Sequence, residues 1–453
     1  MSKELLVALY KLKDALIKLI KEENLARKIN PEENLFIRWK WKNFRYTEKG
    51  IETDQGETEK FTQKNWWKAS EYLSTMMSET SQYQDVLKQL VILKIEKSSQ
   101  KLDNLIVTMA NKFLNASTSE ETVLNEIIER FYRELIKGGF KSGVNIQLEG
   151  IIPLIQEIEI LPNIHLRQAT EKDIERTTHF GEEMLMAPSF HQFSNPSAIL
   201  SMEFENYSMM QLQIEVWKSI AILKLFKVGS VRDLSYRPFS DSFFQSVYFG
   251  THYSREKIGP IVSYKLDKQD IVRLQKFWSE IYSKLPINFY RLDSINLDTL
   301  SLAYNKYCDA LFLGSSLENQ ISTTISGLEA LILENEAELS YRLCLRIAKF
   351  MGFMNQNPMY VRRVMKEAYS IRSCYSHGSF LSEKEKKKLE TKFISIKDIG
   401  LLTLDYLRII LLFMMLTGIS KNEFIKRIED CLLDDETEKS LMETIASQKK
   451  IIL

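Results

Sequence analysis

Pro358-Met359-Tyr360-Val361-Arg362-Arg363-Val364-Met365-Lys366-Glu367-Ala368-Tyr369-Ser370-Ile371-Arg372-Ser373-Cys374-Tyr375-Ser376-His377-Gly378 is the stretch on which the fold turns. Proline suits the first turn of a helix, where no N–H is needed, and glycine suits the residue just past its end, where a left-handed conformation is wanted. Between them the spacing predicts one helix over 358–377. Working outward, helices are expected over 298–313, 317–334, 337–351, 396–417, 421–433 and 436–447, with Gly418 ending one of them as Gly378 does. The C-terminal region therefore reads as a helical bundle, and the chain as mainly α.

Upstream the pattern changes. Val144-Asn145-Ile146-Gln147-Leu148, 155–160 and 164–166 are short, β-rich segments punctuated by Gly150, Pro153 and Pro162, with further strands expected near 198–205 and 246–249 and helices near 211–227 and 268–284. The first third reads as helix over 3–27, 65–77, 84–115 and 119–137, ending at Gly138-Gly139. It carries one alternating strand at Leu35-Phe36-Ile37-Arg38-Trp39-Lys40-Trp41 and a polar loop over 47–60. The division that follows is a helix-rich N-terminal region, 1–143, an α+β middle domain, 144–296, and the helical bundle, 297–453. Glu383-Lys384-Glu385-Lys386-Lys387-Lys388 is a low-complexity patch.

At 453 residues the chain exceeds what one hydrophobic core usually serves, so several domains are expected. The charge balance, 61 Lys+Arg against 60 Asp+Glu, gives no global attraction to nucleic acid or an anionic membrane, and any basic surface must be local. Cys308, Cys344, Cys374 and Cys431 show no C-x-x-C spacing, which suits neither a disulfide framework nor a zinc site and fits a reducing cytoplasm. Lys3, Lys11, Lys13, Lys18 and Lys21 interrupt the apolar N-terminus, which is expected to be an amphipathic helix of a soluble protein rather than a signal peptide. The longest wholly apolar run, 409–416, is too short to span a bilayer and is expected in a core helix; no membrane partner is expected.

Two motifs fail on inspection. Gly229-Ser230 followed by Ser240-Asp241 has nucleotidyltransferase spacing, but Phe243 occupies the position of the second carboxylate that would hold magnesium. Gly138-Gly139-Phe140-Lys141-Ser142-Gly143 lacks the register that aims successive N–H groups at a phosphate. The histidines at 165, 179, 191, 252 and 377 form no H-x-x-x-H or H-x-H pair, so neither a metal site nor a cofactor is expected.

What remains is Arg372 and His377 at the end of the predicted helix. Arginine keeps its charge and forks onto phosphate, and histidine moves protons near neutral pH, so the pair holds the minimum for metal-free RNA cleavage. Spacing alone is weak evidence. On the plain alternative Arg372 pairs with a carboxylate and His377 merely favours the helix dipole. Five residues of helix rotate by about 140°, so one straight helix does not aim both side chains at one phosphate. Either His377 sits where the helix ends, or two chains contribute to one site.

Gly327-Leu328-Glu329-Ala330-Leu331, then Glu338-Leu339-Ser340-Tyr341-Arg342-Leu343-Cys344-Leu345-Arg346-Ile347-Ala348, then Tyr369-Ser370-Ile371-Arg372-Ser373 ending in His377-Gly378 fall on three successive predicted helices. In this order they resemble the HEPN (higher eukaryotes and prokaryotes nucleotide-binding) domain, in its Apea-like branch, over roughly 297–417. Ile164-His165-Leu166-Arg167-Gln168-Ala169-Thr170 and Ala221-Ile222-Leu223-Lys224-Leu225-Phe226-Lys227-Val228-Gly229 resemble the middle part of longer proteins that carry it. The resemblance implies a ribonuclease centre at Arg372 and His377, with Ser373, Tyr375 and Ser376 in support. Ser373 departs from the asparagine frequent after the family's arginine. Glu329 matches an acidic residue common in the family's bundle, where a carboxylate would orient Arg342, Arg346 or Arg372. Lys384, Lys386, Lys387 and Lys388 form a charge run that would hold RNA phosphates or else be a solvated helix face.

The expected function is thus a cytoplasmic, metal-independent endoribonuclease, acting on transfer or messenger RNA as a homodimer, in phage defence or toxin-like abortive infection. The N-terminal region would sense a phage or cellular trigger. The alternative is a non-catalytic HEPN module that dimerises and binds nucleotide, RNA or protein.

Overall fold

A computed structural model describes residues 2–23, 31–115, 121–179, 196–243, 252–253, 262–290, 298–312, 316–334 and 338–453. The fold is mainly helical with antiparallel sheet. The N-terminal region contains α1 (Ser2–Glu23), β1 (Glu32–Thr47), β2 (Gly50–Asn65), α2 (Trp67–Ser78), α3 (Ser81–Ile92), α4 (Ser98–Asn115) and α5 (Glu121–Lys137). Its five helices bury one apolar cluster, from Leu5, Leu9 and Leu12 to Ile128 and Phe131.

Two expectations fail in this region. Residues 47–60, read as a loop, are mostly strand: β2 pairs antiparallel with β1 along its length. Its sequence lacks apolar alternation, and cross-strand pairs hold it instead, with Lys40 on Glu59 at 3.0 Å, Lys42 on Glu57 at 2.7 Å and the Phe36 and Phe61 rings stacked at 5.7 Å. The single helix expected over 84–115 is two, α3 and α4. Lys94 and Lys97 between them take positive φ, 57° and 52°, which no α-helix accommodates.

The middle region follows with β3 (Lys141–Glu149), β4 (Ile151–Pro153), β5 (Glu157–Leu161), β6 (Ile164–Gln168), α6 (Glu171–Ile174), β7 (Arg176–His179), β8 (Ala198–Glu205), α7 (Met209–Phe226), β9 (Arg232–Ser240), β10 (His252–Tyr253), β11 (Tyr264–Leu266) and α8 (Lys268–Lys284). Six strands form an antiparallel sheet in the order β10-β9-β3-β8-β6-β5, β4 and β11 pair in parallel, and β7 joins β1 of the N-terminal hairpin. Alternate residues of β3 (Val144, Ile146 and Leu148) enter the core, the period expected of a half-buried strand. The strand expected at 246–249 lies outside the described residues.

The bundle comprises α9 (Thr299–Phe312), α10 (Leu317–Ile332), α11 (Leu339–Phe353), α12 (Pro358–Ser376), α13 (Glu383–Lys392), α14 (Ile396–Thr417), α15 (Lys421–Asp430) and α16 (Asp435–Ile452). The low-complexity patch is part of α13, and the last helix runs on to Ile452, past the expected end at 447. Helix α14 is long and apolar enough to cross a membrane by length and composition, yet 83% of its apolar window is buried inside the protein. It packs across α9, α10 and α12. Gly327 permits the close approach, since a Cβ there would stand 2.8 Å from Leu407 Cδ2.

The apolar core runs without a break from the sheet across residue 297 into the bundle. One joint shows why. The last four carbonyls of a helix have no partner within it, and α7 ends inside the protein. Tyr264 donates its hydroxyl to Leu223 O at 3.0 Å, Tyr307 to Lys224 O at 2.8 Å, and Arg408 its Nη1 to Leu225 O and Phe226 O at 3.1 and 3.2 Å. Tyr307 and Arg408 belong to the bundle, so the middle region's helix is terminated by bundle side chains. The N-terminal helices keep a separate core and meet the segment after β9 through Arg133 on Asp241 at 2.8 Å and the Phe131 and Phe243 rings, edge to face at 5.5 Å.

Candidate functional site

Both ends of α12 follow from local chemistry. Asn357 accepts from the Met359 and Tyr360 amides ahead of Pro358 in the first turn. At the other end Gly378, at φ 78°, closes a Schellman motif: its amide reaches Tyr375 O at 3.0 Å and the Ser379 amide reaches Cys374 O at 3.1 Å. The Tyr375 and Phe380 rings meet edge to face at 5.6 Å across the turn. His377 therefore occupies the C-cap, its own amide bonded to Ser373 O and Cys374 O, with an exposed side chain. Among the described residues the imidazole makes no hydrogen bond or ion pair.

Arg372 lies five residues earlier and is half-buried. Its Nη2 donates to Glu329 Oε2 at 2.9 Å, and its guanidinium stands 5.4 Å from the centre of the Tyr369 ring. Of the three arginines Glu329 was expected to orient, this is the one it holds; Arg342 and Arg346 pair with Glu429 of α15 instead. The Arg372–Glu329 pair is incomplete. Arg372 Nε and Glu329 Oε1 are both buried without a protein partner. Burial pushes the Glu329 carboxyl above its usual value, and the neighbouring guanidinium only partly offsets this.

The pair opens on a cleft of about 530 Å³ lined by Glu329, Leu333, Glu334, Leu339, Arg372, Lys421 and Asn422. His377 does not line it, so a single chain brings Arg372 to Glu329 and not to His377. The pairing of Arg372 with a carboxylate is the plain alternative weighed from the sequence. Lys421 and Asn422 were not anticipated, since they come from the first turn of α15, far along the chain, with no local motif.

Ser373 and Tyr375 are half-buried beside the helix end and Ser376 is exposed. In the basic run Lys386 is tied to Glu318 and Glu383, each at 3.2 Å, while Lys384, Lys387 and Lys388 are exposed on α13. None of the four lines the cleft. The remaining sequence motifs resolve as structure: Gly138 ends α5 at φ 67°, and Asp241 is engaged by Arg133. The four cysteines are free thiols. Among the described residues no three His, Cys, Asp or Glu side chains gather as a metal would need; His191 lies outside them. No family model matches the chain, and neither a curated protein nor a solved structure does.

Proposed function

We propose that the chain is a metal-independent endoribonuclease of the HEPN type, working in the cytoplasm as a two-fold dimer, with a role in phage defence or abortive infection and transfer or messenger RNA as target. The observation that carries the reading is the end of α12. There a guanidinium held by a half-buried carboxylate keeps an unused buried donor beside an open cleft, and a histidine is fixed at an exposed helix end with a free ring.

The chemistry is transesterification. His377 takes the proton of a ribose 2′-OH, O2′ bonds to the adjacent phosphorus, and the bond from phosphorus to O5′ breaks as O5′ receives a proton from the protonated imidazole of His377 of the partner subunit. Arg372 stabilises the charge on the phosphoryl oxygens. The products are a 2′,3′-cyclic phosphate and a 5′-OH. The roughly 140° between the two side chains on one helix makes the composite site of a two-fold dimer the natural assembly, each chain facing the other's helix end.

Purified full-length chain is incubated with end-labelled RNA in excess EDTA. Cleavage that persists, leaves cyclic phosphate ends and reappears in part when His377→Ala and Arg372→Ala chains are mixed supports the reading. Strict magnesium dependence or 3′-OH ends overturns it. A second reading, a module that binds RNA or protein without cutting it, draws on the separation of Arg372 from His377 within one chain. Under that reading the same RNA is retained intact at every protein concentration.

A further inference from the structure

The face of α12 that carries His377 holds more than that histidine. At about 100° per residue, Arg362, Ser373, Lys366 and His377 fall within ~60° of one another, and Tyr369 lies ~20° to their other side. The stripe from Arg362 to His377 runs for about 22 Å along the helix. Arg362, Lys366 and His377 are exposed and Tyr369 is half-buried. Against this face the first turns of α11 form a groove of about 1040 Å³, into which Tyr341, 52% exposed, brings a second ring. The Arg362 guanidinium stands 5.8 Å from the centre of the Tyr341 ring. Glu338 is the one acid among the described lining residues.

We infer that this groove is the approach path of the substrate, and that it takes single-stranded RNA, with Tyr341 and Tyr369 stacking bases and Arg362 and Lys366 holding phosphates. The inference rests on the ribonuclease reading and adds to it the strandedness of the RNA and the residues that grip it. The argument is one of matching chemistry. Sequence-tolerant single-strand sites pair a cationic track with aromatic faces, and a duplex, whose bases are stacked on one another, has no face to offer a tyrosine. The groove has both features and reaches along α12 as far as Tyr369, three residues before Arg372. Leu339 lines this groove and also the cleft at Arg372, while Tyr369 touches the Arg372 guanidinium, so the two spaces adjoin.

The floor suits an electrically neutral contact. Burial pushes the Cys344 thiol up to about 11, against the pull of Arg362 and Lys366, so it stays protonated beneath the cationic rim. The charge run on α13 is the competing basic surface, but one of its four lysines is already paired with acids.

Full-length His377→Ala protein, which leaves RNA intact if the ribonuclease reading holds, is titrated into fluorescein-labelled oligo-uridylate and oligo-adenylate at several salt concentrations. In that background Arg362→Gln with Lys366→Gln is expected to weaken binding ~10-fold or more and to reduce the salt slope by about 1.4, two phosphate contacts' worth on a single strand. Tyr341→Ser is expected to cost ~10-fold with the salt slope unchanged. Tyr369→Leu, which keeps the side chain's apolar packing, should repeat that result. A perfect RNA duplex should bind more weakly than either strand.

Equal affinity for duplex and single strand, or unchanged affinity in all the groove variants, overturns the inference. A loss with the charge variant alone, with heparin competing as well as RNA, reduces the groove to an ion-exchange surface and also overturns it. The two readings fail separately. If wild-type protein never cleaves yet the groove variants lose RNA, the ribonuclease reading falls and the groove stands. If wild-type protein cleaves and the groove variants keep their KM, the groove falls and the ribonuclease stands.

Discussion

Two arginine–glutamate pairs sit on neighbouring faces of the same bundle and are built to different standards. Arg346 of α11 is 2% exposed; its Nη1 donates to Ile332 O, at the end of α10, at 2.7 Å, while its Nε and Nη2 reach Glu429 at 3.2 and 2.6 Å. Nε, Nη1 and Nη2 of Arg346 all have protein acceptors, and one of these bonds ends a helix. Arg372 of α12, 28% exposed, makes one bond to Glu329 and keeps a buried Nε without a partner, opposite a carboxylate oxygen in the same condition. Buried polar groups are nearly always satisfied, so each exception calls for an explanation. Arg346 has the environment of a tie between helices. Arg372 keeps spare donor capacity beside an open cleft.

The largest effect that tests this contrast comes from truncating each arginine. Arg372→Ala is expected to lower RNA cleavage by about 10²–10³-fold, the usual loss when one donor to a developing negative charge is removed, with the thermal midpoint nearly unchanged. Arg346→Ala is expected to reverse the pattern. It leaves the Ile332 carbonyl unsatisfied and Glu429 with Arg342 alone, and costs about 3 kcal/mol, the low end for a broken buried pair because Glu429 stays 41% exposed. Urea denaturation beside a cleavage assay of both variants decides the matter. Equal destabilisation by the two would make Arg372 a structural tie like its neighbour.

A smaller effect concerns the histidine's placement rather than its chemistry. Gly378 holds φ 78°, and a Cβ there would meet no atom within 4 Å, so the cost of Gly378→Ala is conformational and not steric crowding. A left-handed residue with a side chain costs about 1–2 kcal/mol. The helix end should fray, with faster amide exchange at residues 377–379 and weaker cleavage, while the arginine pair is untouched. Unchanged exchange there would show that the turn does not set the position of His377.

Helices whose ends carry chemistry were legible to the residue. The expected 268–284 and 396–417 coincide with α8 and α14 because Asp267 and Ser395 cap their first turns and Gly418 receives the end of α14. What could not be read depends on partners far away in the chain. Strand β2 is polar but for Ile51 and Phe61, and it becomes a strand when Glu57, Glu59 and Phe61 meet Lys42, Lys40 and Phe36 across the hairpin. Glu329 faced three candidate arginines, and only the arrival of Glu429 from α15 takes Arg342 and Arg346 away from it. The groove on α12 left a trace in the four- and three-residue steps of Arg362, Lys366 and Tyr369, but Tyr341, on another helix, turns that trace into a site.

The smallest expected effect is electrostatic and belongs to the Glu329 side of the contrast. Burial raises this carboxyl above 4.5, its ordinary value, and Arg372 pulls it back only in part. The folded chain therefore holds a proton there that the unfolded chain has already released. The stability this contributes is fully present below pH 4.5 and is lost as the pH rises through the folded value, with a slope of at most one proton. Glu329→Gln cannot titrate, so the stability of wild type relative to the variant should fall across that window and level off above it. Removing Arg372 sharpens the test. Without the guanidinium only burial acts on this carboxyl, so in Arg372→Ala the window should extend to higher pH, and adding Glu329→Gln to that background should abolish it. Urea midpoints measured across the acidic range would report both changes. A pH profile that Glu329→Gln leaves unaltered would mean that the carboxyl titrates like an exposed one, and the unpaired oxygen beside Arg372 would lose its significance.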